Sequence, residues 1–324
     1  ADHALTVLEA ARANGLDTPT LSKHPDHHPA ALCRDCVVKM DDWKNAISCK
    51  QTVKDGMVIS TEDPEVQQIR KNTVELLVAS HPMTCLTCEA DGDCELQRVA
   101  HYVGITQENL NRYRRSVRSI PIDRSNPFFD FDHNKCILCG ICVRTCDELQ
   151  NINAIDYAQR GVSSVISTLG NKPIAESRCE SCGECVVRCP VAALAPKGAQ
   201  EPMREVKSIC SYCGVGCGVM LGVRGQKVVS VQGDRDNPVN KGSLCVKGRF
   251  GYRFINHPER LKTPLIKKNG TLEEASWDEA LDLIAEKFSN SKGDKFAALA
   301  SARITNEDNY LIQKFTRAVM GTNN

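Results

Sequence analysis

Two cysteine-rich stretches, CILCGICVRTC at residues 136–146 and CESCGECVVRCP at residues 179–190, decide how this chain is organised. Both follow the spacing C-x2-C-x2-C-x3-C, in which a loop carries three thiolates to one [4Fe–4S] cluster and the fourth cysteine reaches a second cluster. The pattern therefore predicts two clusters that exchange their fourth ligands. We call them cluster A, with ligands Cys136, Cys139, Cys142 and Cys189, and cluster B, with ligands Cys179, Cys182, Cys185 and Cys146.

Zinc sites and disulfide bonds are the alternatives for so many cysteines. Zinc sites commonly place two C-x2-C pairs on either side of a long loop, without a third cysteine three residues on. The spacing therefore favours iron and sulfide. Between the motifs, residues 154–159 and 162–168 predict two strands joined at Gly161. We expect the aromatic side chains just before the first motif to shield cluster A from water: Phe128, Phe129 and Phe131.

Length and composition set the wider frame. A chain of 324 residues is long enough for two to four small domains. A net charge of +1 predicts no nucleic-acid partner, and the lack of a long apolar run predicts no membrane span. Eighteen cysteines grouped at metal spacings indicate a reducing compartment, so we expect a soluble, cytoplasmic protein. We expect both chain ends to be cuts or disordered boundaries.

The first 80 residues contain a third group of cysteines. A capping box at Thr6 predicts a helix over residues 7–14. The run TPTLSKHP at residues 18–25 is followed by Cys33, Cys36 and Cys49. This pattern resembles the [2Fe–2S] ferredoxin domain at the head of the iron–sulfur subunit of complex I, of NAD-linked formate dehydrogenases and of some [FeFe] hydrogenases.

The resemblance implies a [2Fe–2S] cluster held by Cys33, Cys36 and Cys49, but Ser22 stands where the family has its first cysteine ligand. The hairpin that the family places before the helix is also missing, so the segment resembles only part of a β-grasp fold. Two alternatives stay open. The site has lost its cluster, or it binds zinc with one of three nearby histidines as the fourth ligand: His24, His27 or His28.

A helix and a fourth metal motif follow. Asp63 and Pro64 predict a helix start, with an apolar stripe formed by Val66, Ile69, Thr73, Leu76 and Leu77. The motif H-x3-C-x2-C-x5-C then resembles the histidine-ligated [4Fe–4S] site of the same family, with ligands His81, Cys85, Cys88 and Cys94. Zinc bound by three cysteines and one histidine is the alternative. Neutral imidazole in place of a thiolate should favour the reduced cluster. A basic stretch around Tyr113 predicts a solvated linker: Arg112, Arg114, Arg115 and Arg118.

The C-terminal segment carries the last four cysteines, Cys210, Cys213, Cys217 and Cys245. Between them, residues 219–223 and 227–233 predict a hairpin. The segment resembles the opening [4Fe–4S] domain of molybdopterin oxidoreductases, formate dehydrogenase catalytic subunits above all. The resemblance implies that Lys247 bridges the cluster and a pterin. Zinc is again the alternative.

The last fifty residues predict the first βα unit of the family's pterin-binding α/β domain. Ser276 predicts the start of one helix, with Ala280, Leu281, Ile284 and Phe288 on one face. Residues 296–300 predict a short strand, and Thr305 the start of a helix that runs to about Met320. One such unit cannot cover both faces of a parallel strand. We therefore expect either that the natural chain continues or that a partner covers the strand.

Together these patterns predict an α+β, multidomain protein. Its expected parts are a partial β-grasp [2Fe–2S] ferredoxin-like segment (1–80), a histidine-ligated cluster domain (81–125), a bacterial 2[4Fe–4S] ferredoxin module (126–200), and a [4Fe–4S] domain with the start of the molybdopterin oxidoreductase domain (207–324). All eighteen cysteines fall in these five sites. The expected cofactors are four [4Fe–4S] clusters and one [2Fe–2S] cluster, with a Mo or W bis-pterin only if the chain continues.

Two functions follow from these resemblances. In the first, the chain relays electrons between a Mo/W-pterin catalytic region or partner and a subunit that binds flavin and NAD(P), in a formate dehydrogenase-like oxidoreductase. In the second, it is a truncated, non-catalytic electron-transfer subunit of an electron-bifurcating or hydrogenase complex. No substrate-converting residue is assigned within these 324 residues.

Overall fold

The computed structural model of this chain describes residues 5–41, 44–113, 118–198 and 200–324. Arg114 and Arg115 of the predicted basic linker lie outside these ranges. The chain forms two compact units, residues 1–198 and 199–324. Helices and strands are mixed in both, as the sequence predicts.

The first unit begins with a short helix against a small sheet. Helix α1 (Val7–Ala13) has the predicted capping box, in which Thr6 and Glu9 bond each other's backbone amides. Three antiparallel strands follow in the order β2-β1-β3: β1 (Val37–Met40), β2 (Lys44–Ile47) and β3 (Ile59–Ser60). Val7 of the helix packs on Val38 and Met40 of the central strand, which gives this segment its own small core.

Helix α2 (Pro64–Val78) begins where the sequence predicts, with the carboxylate of Asp63 accepting the amides of Glu65 and Val66. The prediction of its buried stripe was wrong. The helix buries Val66, Arg70, Val74, Glu75 and Val78, while Leu76 is 55% exposed. Two of these buried side chains are charged, and polar partners satisfy them: Arg70 donates to the carbonyls of Thr61 and Val37, and Glu75 accepts from Asn109. An apolar periodicity cannot anticipate such a face.

Two short helices follow, α3 (Glu95–Tyr102) and α4 (Gln107–Arg112). Helices α2 and α3 share a core with residues far away in sequence. Its buried members are Leu21, Val74, Val78, Leu96, Val99, Val191 and Ala193. This core joins the N-terminal segment to the end of the second cysteine motif.

The double-cysteine module is built from short elements. Strand β4 (Phe129–Phe131) pairs with β7 (Leu194–Pro196), and β5 (Ile155–Ala158) pairs with β6 (Val165–Thr168). The second pair confirms the predicted hairpin, which turns through a 3-10 segment at Gly161–Ser163. Helix α5 (Ile141–Arg144) continues as a π-helical turn, Thr145–Leu149. These elements enclose a core of eight buried residues: Phe129, Phe131, Cys142, Ile155, Ile166, Ile174, Val186 and Leu194.

The second unit opens with an antiparallel sheet in the order β10-β9-β8. Its strands are β8 (Arg204–Ile209), β9 (Gly218–Arg224) and β10 (Lys227–Gly233), and the last two form the predicted hairpin. Helix α6 (Val246–Phe250) follows the last cysteine. A further hairpin joins β11 (Leu265–Lys268) to β12 (Thr271–Glu274).

The chain closes with α7 (Trp277–Ser289) and α8 (Asn306–Lys314), which begin at the predicted caps Ser276 and Thr305. The prediction of a strand at residues 296–300 was wrong, because this stretch has no regular structure and no strand beside it. Its backbone instead bonds the chain end, with the Ala298 amide donating to the carbonyl of Asn324 at 3.1 Å. Phe296 packs edge-on against Phe288 and Phe315. A strand forms only where another strand can pair with it.

Within the described ranges, no helix is both long enough and apolar enough to cross a membrane.

Candidate iron–sulfur sites

The two C-x2-C-x2-C-x3-C motifs exchange their last cysteines in space. Cys136, Cys139 and Cys142 of the first motif line one small cavity together with Cys189 of the second. Cys179, Cys182 and Cys185 line a neighbouring cavity together with Cys146. The sulfur donors are thus grouped in the same two sets of four that the spacing predicts.

The two motifs have the same loop geometry. The third residue of each, Leu138 and Ser181, is left-handed, with φ of 58° and 57°, and so is the glycine after the second cysteine, with φ of 70° at Gly140 and 75° at Gly183. These turns direct backbone amides at sulfur. The amides of Leu138 and Ser181 each lie 3.4 Å from the sulfur of the first cysteine in their motif. Hydrogen bonds to cluster sulfurs are one of the protein's means of tuning potential.

Aromatic side chains border both cavities. Phe131 lines the cavity of Cys136, as the sequence predicts, but Phe129 lines the other one, so that prediction was wrong for Phe129. Strand β4 runs along the module and serves both sites. Tyr157 donates a hydrogen bond to the Leu138 carbonyl at 3.1 Å, and a Cβ at residue 140 would lie 2.2 Å from its hydroxyl oxygen. Gly140 is therefore required by both its backbone angle and this contact.

The thiols of this module are deeply buried, which disfavours their charged form. Burial raises the pKa of Cys136 to about 11 and that of Cys139 to about 12. Burial also raises the pKa of Cys142 and Cys185 well above the usual value, and neighbouring thiols raise it further. Such thiols become thiolates when cations bind among them, since metal binding displaces protons. The donor set and its environment therefore fit an iron–sulfur cluster.

The histidine-containing motif surrounds a larger cavity of about 290 Å³, lined by His81, Cys85, Cys88 and Cys94. His81 follows the end of α2, and its amide donates to the Val78 carbonyl at 3.2 Å. Its Nδ1 is buried and has no hydrogen-bond partner in the described structure. Burial lowers the pKa of His81, and Lys135 lowers it further. The imidazole is therefore neutral at neutral pH, which is the form that binds metals.

The N-terminal site is compact and almost fully closed. Cys36, Cys49 and Ser22 are each exposed by 1% or less. The Ser22 hydroxyl accepts the Cys33 amide at 3.2 Å. The Cys49 thiol donates a hydrogen bond to Cys36 and lowers the pKa of Cys36 to about 6. Of the three histidines offered as alternative ligands, His27 instead bonds Thr145 at 3.0 Å and His24 lies 3.5 Å from Asp26.

Asp35, between two of these cysteines, was not identified from the sequence. It is completely buried, and neither carboxylate oxygen has a hydrogen-bond partner in the described part of the chain. Burial raises its pKa to about 7, while contact with the Cys33 thiol opposes that rise. An acid inside a CRDC motif was the available signal, because an aspartate flanked by buried metal ligands cannot reach solvent.

Sulfur atoms of three sites touch one common core. The apolar core of α2 and α3 is contacted by Cys33 of the N-terminal site, Cys94 of the histidine site, and Cys136 and Cys189 of the cluster A site. Cys142 and Cys189 also contact the neighbouring core on the cluster B side. The cluster A cysteines therefore stand between the other three sites of this unit.

In the second unit, Cys210 and Cys217 pack on the sheet core, and the Cys210 amide donates to the Cys217 carbonyl at 2.8 Å. Burial raises the pKa of Cys217, and the thiols of Cys210, Cys213 and Cys245 raise it further. All four predicted ligands are therefore grouped. Lys247 lies exposed in the first turn of α6, two residues after Cys245.

Five family models match the chain in succession. They are the 2Fe-2S iron-sulfur cluster binding domain at residues 2–64, the NADH-ubiquinone oxidoreductase-G iron-sulfur binding region at 70–109, the 4Fe-4S dicluster domain at 135–193, the molybdopterin oxidoreductase Fe4S4 domain at 203–257, and molybdopterin oxidoreductase at 260–324. Together with the grouped cysteines, they define an iron–sulfur electron-transfer protein with 2Fe-2S and 4Fe-4S domains.

Curated relatives match along nearly the whole chain. The NADPH-Fe(3+) oxidoreductase subunit alpha of Geobacter sulfurreducens and an NADH-quinone oxidoreductase subunit of Rhizobium meliloti are each 34% identical over 98% of this chain. A putative formate dehydrogenase of Bacillus subtilis is 33% identical over 98%. The chain spans 38%, 38% and 37% of the lengths of these relatives.

A solved structure is also similar. A chain of an NAD+-reducing [NiFe]-hydrogenase matches with a TM-score of 0.55 and 31% identity, over 60% of this chain and 81% of its own. The chain belongs to the molybdopterin oxidoreductase family, with an iron–sulfur head of the NADH-ubiquinone oxidoreductase type. It is the iron–sulfur electron-transfer region of a protein of this kind.

Proposed function

We propose that this chain holds four [4Fe–4S] clusters and one [2Fe–2S] cluster and relays electrons in a formate dehydrogenase-like oxidoreductase. One observation carries the proposal: the two cysteine motifs exchange their last members, so that each of two adjacent cavities is lined by four sulfur donors. A [4Fe–4S] cluster takes four protein ligands, and this exchange is the arrangement of two-cluster ferredoxins. The clusters supply the one-electron chemistry, while the protein positions, insulates and tunes them.

The ligand sets follow from the grouping of donors. Clusters A and B are held as the sequence predicts. His81 with Cys85, Cys88 and Cys94 holds a third cubane, and Cys210, Cys213, Cys217 and Cys245 hold the fourth. Cys33, Cys36 and Cys49 hold the [2Fe–2S] cluster together with one oxygen ligand, for which Ser22 is the candidate from family position. Lys247 lies between the fourth cubane and a pterin.

The order of electron transfer follows from the cores. Because Cys136 and Cys189 contact the core shared with Cys33 and Cys94, cluster A is the junction between the N-terminal site, the histidine site and cluster B. The neutral imidazole of His81 leaves its cluster less negative than a four-thiolate cluster, so the reduced form is favoured there. Electrons therefore pass between the histidine site and cluster B through cluster A, with the N-terminal site as a side branch.

The proposed partners are a subunit that binds flavin and NAD(P) and a Mo/W-pterin catalytic region, in the cytoplasm. The similarity to a putative formate dehydrogenase supports formate oxidation or CO2 reduction as the reaction of the whole assembly. A non-catalytic electron-transfer subunit is the second candidate, because the chain covers 81% of a chain from an NAD+-reducing hydrogenase.

Mass and metal analysis of the complex purified under anaerobic conditions separates the two functions. A polypeptide well over 35.7 kDa with stoichiometric Mo or W, plus formate-dependent reduction of a dye, supports the oxidoreductase. A polypeptide of this mass without either metal, carrying iron and sulfide, supports the carrier. Iron and sulfide near zero would contradict both.

A further inference from the structure

The N-terminal site contains one buried anion that its sequence pattern does not explain. Asp35 is 0% exposed, and both carboxylate oxygens are without a hydrogen-bond partner in the described residues. Buried carboxylates are ordinarily paired with a cation, hydrogen-bonded or bound to a metal, because desolvating an unpaired charge is costly. Arg70, a buried cation of the same region, donates to the carbonyls of Thr61 and Val37 instead.

The carboxyl of Asp35 lies among the sulfur donors. It contacts the Cys33 thiol, and the charge of Cys36 acts on it directly. Cys36 and Cys49 are in turn paired with each other. The site therefore contains two adjacent donor pairs, Cys33 with Asp35 and Cys36 with Cys49. Each iron of a [2Fe–2S] cluster needs two protein ligands besides its bridging sulfides.

Ser22 is the competing oxygen donor, and its surroundings suit another role. Its hydroxyl oxygen accepts the Cys33 amide at 3.2 Å, and its carbonyl accepts from Arg144 at 2.5 Å. These contacts fix the loop beside Cys33. A serine hydroxyl must lose its proton to become an anionic ligand, whereas an aspartate is ordinarily an anion at neutral pH.

We propose that the carboxylate of Asp35, rather than the hydroxyl of Ser22, is the fourth ligand of the [2Fe–2S] cluster held by Cys33, Cys36 and Cys49. This inference rests on the [2Fe–2S] cluster in the proposed function. With three thiolates and one carboxylate, the ligand set has the same total charge as four thiolates. A hard oxygen donor suits ferric iron better than ferrous iron and lowers the cluster's potential relative to four thiolates.

The test compares three variants of the full chain after anaerobic reconstitution with ferrous iron and sulfide. Iron is counted, and the [2Fe–2S] signal of the reduced protein is measured by EPR. We expect Asp35→Asn to lose about two iron atoms per chain and the [2Fe–2S] signal, while the [4Fe–4S] signals stay. Ser22→Ala, the matched control, should keep its iron count and its [2Fe–2S] g-values. Asp35→Cys should regain the iron, with g-values shifted from those of the wild type.

The outcomes separate the ligand from the cluster. A wild-type protein without a [2Fe–2S] signal would overturn the proposed N-terminal cluster itself, and this inference with it. If the wild type has the signal, its retention in Asp35→Asn overturns the inference alone, and so does its loss in Ser22→Ala. Should Asp35→Asn fail to fold, as judged by loss of the [4Fe–4S] signals, Asp35→Cys decides the matter. A fully assembled Asp35→Cys protein with unchanged g-values overturns the inference.

Discussion

Arg188 donates two hydrogen bonds to one carboxylate oxygen of Asp26, at 2.7 and 3.0 Å, across 162 residues of sequence. The same guanidinium is bonded to the fully buried carboxylate of Glu184. Arg188 directly precedes Cys189, and Glu184 directly precedes Cys185. The three charges therefore tie the N-terminal segment to the stretch that bears one ligand of each cubane in the double module.

We predict that Glu184→Gln destabilises the first unit more than Asp26→Asn does. Breaking a buried ion pair by removing one partner costs about 3 kcal/mol. The Asp26 side chain is 25% exposed, so solvent replaces part of its interaction, and we expect a loss of about 1 kcal/mol. The measurement is the midpoint of thermal bleaching of the iron–sulfur absorbance. Equal midpoints for the two variants would contradict this ranking.

The exchange of the last cysteines gives a second prediction. Cys189→Ser should damage the cluster of Cys136, Cys139 and Cys142 and leave a three-iron form, because Cys189 lines that cavity. Cys146→Ser is the matched variant and should damage the cluster of Cys179, Cys182 and Cys185. EPR and Mössbauer spectra of each variant identify the altered cluster. Damage confined to the cluster of the mutated cysteine's own motif would refute the exchange.

Much of this site could be predicted because its information is local. Cysteine spacing defines each ligand loop, and the helix starts at Thr6, Asp63 and Thr305 depend on side chains within three residues of the cap. Burial of charge is not local. Asp35 and Arg188 are buried by segments distant in sequence, so no periodicity reveals them.

The two wrong predictions of the fold have the same cause. The apolar stripe predicted for α2 failed because Arg70 and Glu75 are buried with polar partners from outside the helix. The apolar run at residues 296–300 is not a strand, because a strand depends on a neighbour that a single sequence window does not contain. In both places the outcome depends on which distant backbone or side chain is available as a partner.

His81→Cys is expected to lower the reduction potential of its cluster. The neutral imidazole is replaced by a thiolate, which adds one negative charge and disfavours the reduced form. We expect a shift on the order of 100 mV, measured by redox titration with EPR detection. His101→Cys, on α3 next to the same cavity, is the control and should leave the potential unchanged. An intact cluster with the wild-type potential in His81→Cys would mean that His81 is not a ligand.

Ser22→Cys should increase the amount of [2Fe–2S] cluster that the N-terminal site retains. The new thiolate would lie beside Cys33, since the Ser22 oxygen is 3.2 Å from the Cys33 amide, and thiolates bind iron–sulfur clusters more strongly than oxygen donors do. Turnover of the whole complex should change little, because this site is a side branch. The [2Fe–2S] EPR amplitude and dye-coupled turnover are measured together. A large rise in turnover would contradict the side-branch assignment.

The last prediction concerns His27, which connects the N-terminal segment to the π-helical turn beside Cys146. Thr145 donates its hydroxyl proton to the Ile141 carbonyl at 2.8 Å, so His27 Nε2 must be the donor in its 3.0 Å bond to Thr145. Burial lowers the pKa of His27, Arg144 and Arg188 lower it further, and Glu148 and Asp26 oppose them. The folded protein therefore holds this imidazole neutral.

Stability from neutral His27 should be fully present above about pH 6.5 and lost as the pH falls toward the lower pKa of the folded state. The reason is that the unfolded chain then binds a proton that the folded chain excludes. We expect the thermal bleaching midpoint of the wild type to fall between pH 7.5 and 5.5 by more than that of His27→Gln. Glutamine keeps a donor for Thr145 but does not titrate, so it controls for acid lability of the clusters. Parallel pH profiles for the two proteins would show that His27 does not contribute.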